Sequence, residues 1–163
     1  MAKKYLLFDE PKALTSVAAF HDMFNLPILR QPTMPDEKRC ELRVSLLQEE
    51  LDELREAIID GDIVAVADAL SDLQYVLSGA VLEFGLGDKF KALFDEVQRS
   101  NMSKTCKNYQ DALDTQAYYL TEKSTPSFLE EREGEYLVYR TSDKKVLKSI
   151  KYSEANLKTI VLE

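Results

Sequence analysis

The chain has 163 residues, 45% hydrophobic and 31% charged, with five Gly, five Pro, two Cys and no Trp, which excludes collagen-like, disulfide-stapled and disordered classes. That length suffices for one sizeable core, since a domain of about 150 residues buries roughly 68–70% of its unfolded surface. Twenty-one basic against 29 acidic side chains give a net charge of −8, so no overall field draws in nucleic acid or anionic lipid.

Met1–Lys12 carries Lys3 and Lys4 but only four consecutive apolar residues before Asp9, too short for a secretory apolar region. A first helix is expected over Pro11–Asn25, with Leu14, Val17, Ala18, His21 and Phe24 at helical spacing, closing before Pro27. After a loop marked by Pro32 and Pro35, a second helix runs from Asp36 to Ile59 on the stripe Leu47, Leu51, Leu54 and Ile58, and Asp60 and Gly61 break it. Asp62 caps a third, Ile63–Phe84, apolar on nearly every side and therefore expected to be buried. Gly85 and Gly87 precede a fourth helix from Asp88, with Phe90, Leu93, Phe94 and Val97 facing inward.

Beyond Lys104 the character changes. A helix around Asn108–Leu120 and the turn-prone KSTPS lead to EYLVYR and KVLKSI, which flank Thr141, Ser142 and Asp143 and read as a β-hairpin. The expected architecture is mainly α: a four- to five-helix bundle with a small C-terminal β-hairpin. It reads as a single domain with a helical core over 1–104, an insertion-like segment over 105–134, and the hairpin and tail over 135–163. No run approaches 18 apolar residues, so no membrane span is expected. Cys40 and Cys106 lie far apart without CxxC or His neighbours, which fits reduced thiols in a cytoplasmic protein rather than a zinc site.

The informative acids are those on apolar faces. At about 100° per residue with Leu47 at zero, Glu50 falls at about 300°, inside the apolar arc, and Glu53 at about 240° on its edge, whereas Glu49, Asp52 and Glu56 turn toward water. On the third helix Asp68 and Asp72 lie about 40° apart, on the side of Ala65, Tyr75, Val76 and Gly79. Buried carboxylates need a cation or several hydrogen bonds, yet Glu56–Asp88 contains no Lys or Arg. Carboxylates from two consecutive helices suit hard Mg²⁺ or Mn²⁺, with Glu50, Glu53, Asp68 and Asp72 as ligands. Taken singly, EELDE also reads as a solvated helix face, and Asp68 and Asp72 as core acids bonded to Tyr or backbone groups.

LLQEELDELREAI, a Gly-containing turn and VADALSDLQYVLSGAVLEFGL together resemble the metal-binding core of the all-α nucleoside triphosphate pyrophosphohydrolases, the MazG-like and phosphoribosyl-ATP pyrophosphohydrolase-like superfamily. Glu49, Glu50 and Glu53 match its EExxE motif; FHDMFNLP, EVQRSNMSK and KVLKSIKYSEANL extend the resemblance over most of the chain. Two departures stand out. Ala69 occupies the Glu position of the second motif, ExxD, leaving Asp72 at the Asp position and Asp68 as the substitute ligand; and Thr105–Arg140 separates two segments that lie closer together in relatives.

The resemblance implies a magnesium- or manganese-dependent hydrolysis of a nucleoside triphosphate between the α and β phosphates, with Glu49 either completing a second metal site or orienting the attacking water as base. Charge is segregated accordingly: Asp36–Glu96 carries −10, whereas Val97–Tyr109 and Asp143–Lys158 each carry +3. Arg99, Asn101 and Lys104 are expected at the polyphosphate or ribose, with Lys148 and Tyr152 closing over the nucleotide. Helix capping by RSNMSK and a solvated hairpin are the plain alternatives for these residues. His21 reads as a hydrogen-bonded core histidine or a base contact, and Tyr75 as a core residue or a support for the acids. Three competing readings remain: phosphoribosyl-ATP hydrolysis in histidine biosynthesis, a non-catalytic acidic module that binds a cation or a partner, and a nucleotide sensor without turnover. The apolar third helix further implies a homodimer or tetramer.

Overall fold

The computed structural model describes residues 7–163, so part of the Met1–Lys12 stretch lies outside the described residues. They form α1 (Ala13–Met23), α2 (Glu37–Asp60), α3 (Ile63–Glu83), a 3-10 turn (Gly87–Lys89), α4 (Phe90–Met102), α5 (Tyr109–Lys123), β1 (Ser127–Arg132), β2 (Glu135–Arg140) and a short α6 (Leu157–Leu162). The architecture is mainly helical with a small antiparallel hairpin, as expected. Two compact units divide between Phe90 and Lys91: residues 7–90 with Val161–Glu163, and Lys91–Ile160.

In the first unit, α2 and α3 form an antiparallel pair whose punctuation is legible residue by residue. Asp36 caps α2 by accepting from the Arg39 amide at 3.0 Å. Gly61, at φ +68°, ends α2 in the left-handed conformation that glycine adopts without penalty. Asp62 then accepts from the amides of Val64 and Ala65 at 2.9 and 3.1 Å and starts α3. Ala57 and Ala69, small and buried, flank this turn. The loop after α1 is pinned onto the end of α3, with the Leu29 amide donating to the Leu82 carbonyl at 3.0 Å and Thr33 to Phe84 at 3.1 Å. Gly85 is obligatory there, because a Cβ would lie 1.9 Å from the Gln31 carbonyl oxygen.

The expectation that α3 is buried throughout holds for only part of its length. Ser78–Glu83 are buried, but Ile63 and Val64 are each 75% exposed and Leu70 and Leu77 are exposed as well. One helix partner shields one side of a helix, and near the Gly61 turn that partner is α2. By length and composition α3 is apolar enough to cross a membrane, although Asp68 and Asp72 interrupt its apolar run.

In the second unit, Asn108 caps α5 through the Asp111 amide at 2.8 Å, and a core of Cys106, Ala112, Val138 and Leu147 joins α5 to the hairpin. The hairpin is not the one expected from the sequence: β2 pairs with β1, in register from Ser127↔Arg140 to Arg132↔Glu135. Glu133 and Gly134, at φ +54° and +79°, form the two-residue turn whose twist suits adjacent strands. KVLKSI contributes instead a single bridge, Tyr139↔Val146, beyond a turn in which the Asp143 carboxylate accepts from Arg140 and the Lys145 amide. Cys40 and Cys106 are free thiols.

Candidate active site

The inward line of α2 repeats every seven residues: Arg43 buried, Glu50 half-buried, Ala57 buried. Glu50 thus sits two turns from either end of that line. Its carboxyl is held above the ordinary glutamate range, first by burial and then by the charges of Asp72, Glu53, Glu49 and Asp68. The helix pair and its tight turn therefore place five acids in one electrostatic neighbourhood: Glu50, Glu53, Asp68 and Asp72, which spacing singles out, and Glu49, which the EExxE motif adds.

Their orientation corrects the sequence reading. Glu53, Asp68 and Asp72 are exposed on the single chain rather than turned into its interior, whereas Glu49 is exposed as its spacing implies. The physical reason is the rotation of α3: it presents Ala69, 3% exposed, to the interior, which leaves Asp68 and Asp72 about 100° and 60° to one flank. Among the described residues, no three His, Cys, Asp or Glu side chains converge closely enough to hold a metal ion as they stand. The donor chemistry nevertheless fits a hard dication. Every donor is a carboxylate oxygen, the charges of the other four disfavour ionised Glu50, and the adjacent cation, Arg55, is bonded to Asp52 at 2.6 Å.

A second charged cluster lies at the other end of the pair. Glu83, 1% exposed, accepts from Arg39 and Arg43. Burial alone would raise its carboxyl, but the hydrogen bonds and charges of the two arginines outweigh it and hold the carboxyl below the ordinary range. Arg43 Nε is buried without an acceptor. Beside it His21, 2% exposed, donates from Nδ1 to the Pro27 carbonyl at 2.9 Å. Sequence reasoning passed over Arg43 and Glu83, although Arg43 lies one turn before Leu47, on the same apolar arc as Glu50.

The cations expected at the substrate all lie in the second unit, where each already has a protein partner. Arg99 makes a two-pronged pair with Glu96 at 2.7 and 2.8 Å and donates to the Ser153 hydroxyl and the Glu154 carbonyl. The pair with Arg99, together with the Asn156 amide, draws the Glu96 carboxyl down to about 2. Arg99 thus fastens the tail to α4. Lys104 donates to Asn101 at 2.7 Å, Lys148 lies 4.2 Å over the Tyr152 ring, and the Tyr152 hydroxyl is 2.9 Å from that of Ser100.

A family model described as phosphoribosyl-ATP pyrophosphohydrolase matches residues 17–101, just over half of the chain. The chain belongs to that family. It is a pyrophosphohydrolase of the MazG-like superfamily, a hydrolase acting on acid anhydrides. The matched stretch holds both charged clusters and ends before Lys104. No curated protein matches the chain.

Proposed function

We propose that this pyrophosphohydrolase cleaves a nucleotide 5′-triphosphate between the α and β phosphates, releasing a nucleotide monophosphate and pyrophosphate, with Mg²⁺ or Mn²⁺ bound by Glu50, Glu53, Asp68 and Asp72. The observation that carries the reading is Glu50 surrounded by the charges of four further acids of α2 and α3, with no basic residue from Glu56 to Asp88, in a chain of this family. A bound dication supplies the positive charge that a polyphosphate needs and makes a water acidic enough to attack. Glu50, half-buried between the other four, holds its position on the shared side of α2. Glu49, one residue earlier and exposed, accepts a proton from the attacking water.

Two substrates present this triphosphate: a free ribo- or deoxynucleoside triphosphate and phosphoribosyl-ATP. The description of the matching family favours the second, whereas the acid cluster serves either. A Mg²⁺-dependent pyrophosphate-release screen over the common nucleoside triphosphates, with phosphoribosyl-ATP beside them, distinguishes the two. Turnover of at least one substrate is expected, and its absence throughout would refute the reading.

The exposed Val44, Leu51 and Ile58 of α2 and Ile63, Val64 and Leu70 of α3 support self-association of this face with a second copy. Lipid is the poorer cover, because the same helix pair carries the acid cluster. Sedimentation at micromolar concentration is expected to give a dimer or tetramer; a monomer throughout would contradict it.

A further inference from the structure

A cavity of about 300 Å³ in the first unit lies between α1, α2 and α3, with walls that include Phe20, His21, Arg43, Leu46, Tyr75 and Val76. We propose that this cavity receives the heterocyclic base of the substrate, with Arg43 and His21 reading its edge; the inference rests on the nucleotide reading above.

Position is the first argument. Leu46 lies four residues before Glu50 on α2, and Val76 four residues after Asp72 on α3, so the cavity borders the acid cluster on both helices, about 6 Å along each axis. A nucleotide spans that kind of step, with its ring in an apolar recess and its phosphates beside the acids. The volume sits at the lower end of the range for small-molecule sites, which suits a single ring system.

Chemistry is the second. Because His21 Nδ1 donates to the Pro27 carbonyl, Nε2 of the neutral ring is an acceptor. Arg43 is held by Glu83 yet keeps a buried Nε–H without an acceptor, a state that an incoming acceptor relieves. Two residues of the wall therefore hold one acceptor and one donor without a partner, the complement of a base edge that presents a donor beside an acceptor. Phe20 and Tyr75, with ring centroids 5.7 Å apart, form an aromatic flank.

Gly79 is the third. A Cβ there would lie 2.8 Å from Arg43 Nη1 and 3.1 Å from His21 Nε2, so the missing side chain is what admits both groups to the floor.

His21 is the only histidine in the chain, so long-range ¹H–¹⁵N spectra of the labelled full-length protein report on this pocket alone. Monophosphates of the four common bases are added without metal, with inorganic pyrophosphate as control. The expected result is that at least one monophosphate moves the Nε2 resonance and pyrophosphate does not. In parallel, His21→Asn, which keeps a donor near Pro27 and removes the Nε2 acceptor, is expected to raise KM at least tenfold with kcat within threefold, and Gly79→Ala, whose Cβ presses on Arg43 and so also lowers the melting temperature, is expected to raise KM by a similar factor. Movement with a monophosphate supports the pocket even if no triphosphate is turned over, in which case only the hydrolase reading falls. A resonance indifferent to the monophosphate of a nucleotide that the protein does hydrolyse overturns the pocket and leaves that reading intact; silence in spectra and turnover alike overturns both.

Discussion

At one end of the α2–α3 pair, Glu83 is buried against two arginines and its carboxyl is held below the ordinary range; two turns along α2 from Arg43, Glu50 stands among four acids and its carboxyl is held above it. Both carboxylates lie on the same two helices, and both lose water on folding. One is neutralised by the chain itself and serves the fold, whereas the other lacks an internal counter-charge, which is how a fold behaves when the counter-charge is to come from a ligand.

The largest effect is expected where the charge is already paired. Glu83→Gln leaves two guanidiniums against an uncharged partner and should destabilise the protein by about 3–5 kcal/mol, measured by urea unfolding; a loss below about 1 kcal/mol would mean that the Arg39–Glu83–Arg43 cluster does not hold the helices. At the other end, Glu50→Ala and Asp72→Ala should stay folded by circular dichroism while turnover falls at least about 100-fold. A variant that keeps wild-type turnover removes its residue from the site.

Acid should reverse the contrast. The lowered Glu83 carboxyl means that folding favours its ionised form, so its contribution is complete above the ordinary glutamate range and is lost as pH falls through the lower folded value, below about pH 4. Urea unfolding between pH 6 and pH 3 should show that decline in the wild type and a shallower one in Glu83→Gln. Glu50 has the opposite sign: its raised carboxyl opposes folding wherever it is ionised. Glu50→Gln without divalent metal at pH 7 should therefore raise stability, by less than about 1 kcal/mol because the group is partly solvated. A loss of stability would show that Glu50 serves the fold as Glu83 does.

How much of this was legible follows from what spacing encodes. Caps and breakers are local, so Asp36, Gly61, Asp62 and Asn108 mark their helix ends in the sequence, and Glu50 announces itself as an acid on an apolar arc. The hairpin was misplaced because Glu133-Gly134 lacks the Asn-Gly or Asp-Gly signature and β1 is short and largely polar, whereas KVLKSI looks like a strand without a full ladder to join. The burial of Asp68 and Asp72 was misjudged because a wheel ranks faces without saying which one the neighbouring helix covers; Ala69 took that place. The partners of Arg99 at Ser153 and Glu154 are not legible in the sequence because they lie more than fifty residues away.

The most direct test is a Mn²⁺ titration of the wild-type protein followed by the electron paramagnetic resonance signal of free Mn²⁺, beside Glu50→Gln and Asp72→Asn. Saturable loss of the signal in the wild type, with binding at least tenfold weaker in both variants, is the expected result. Equal binding in all three proteins, or none in the wild type, would contradict a dication site built from the acids of α2 and α3.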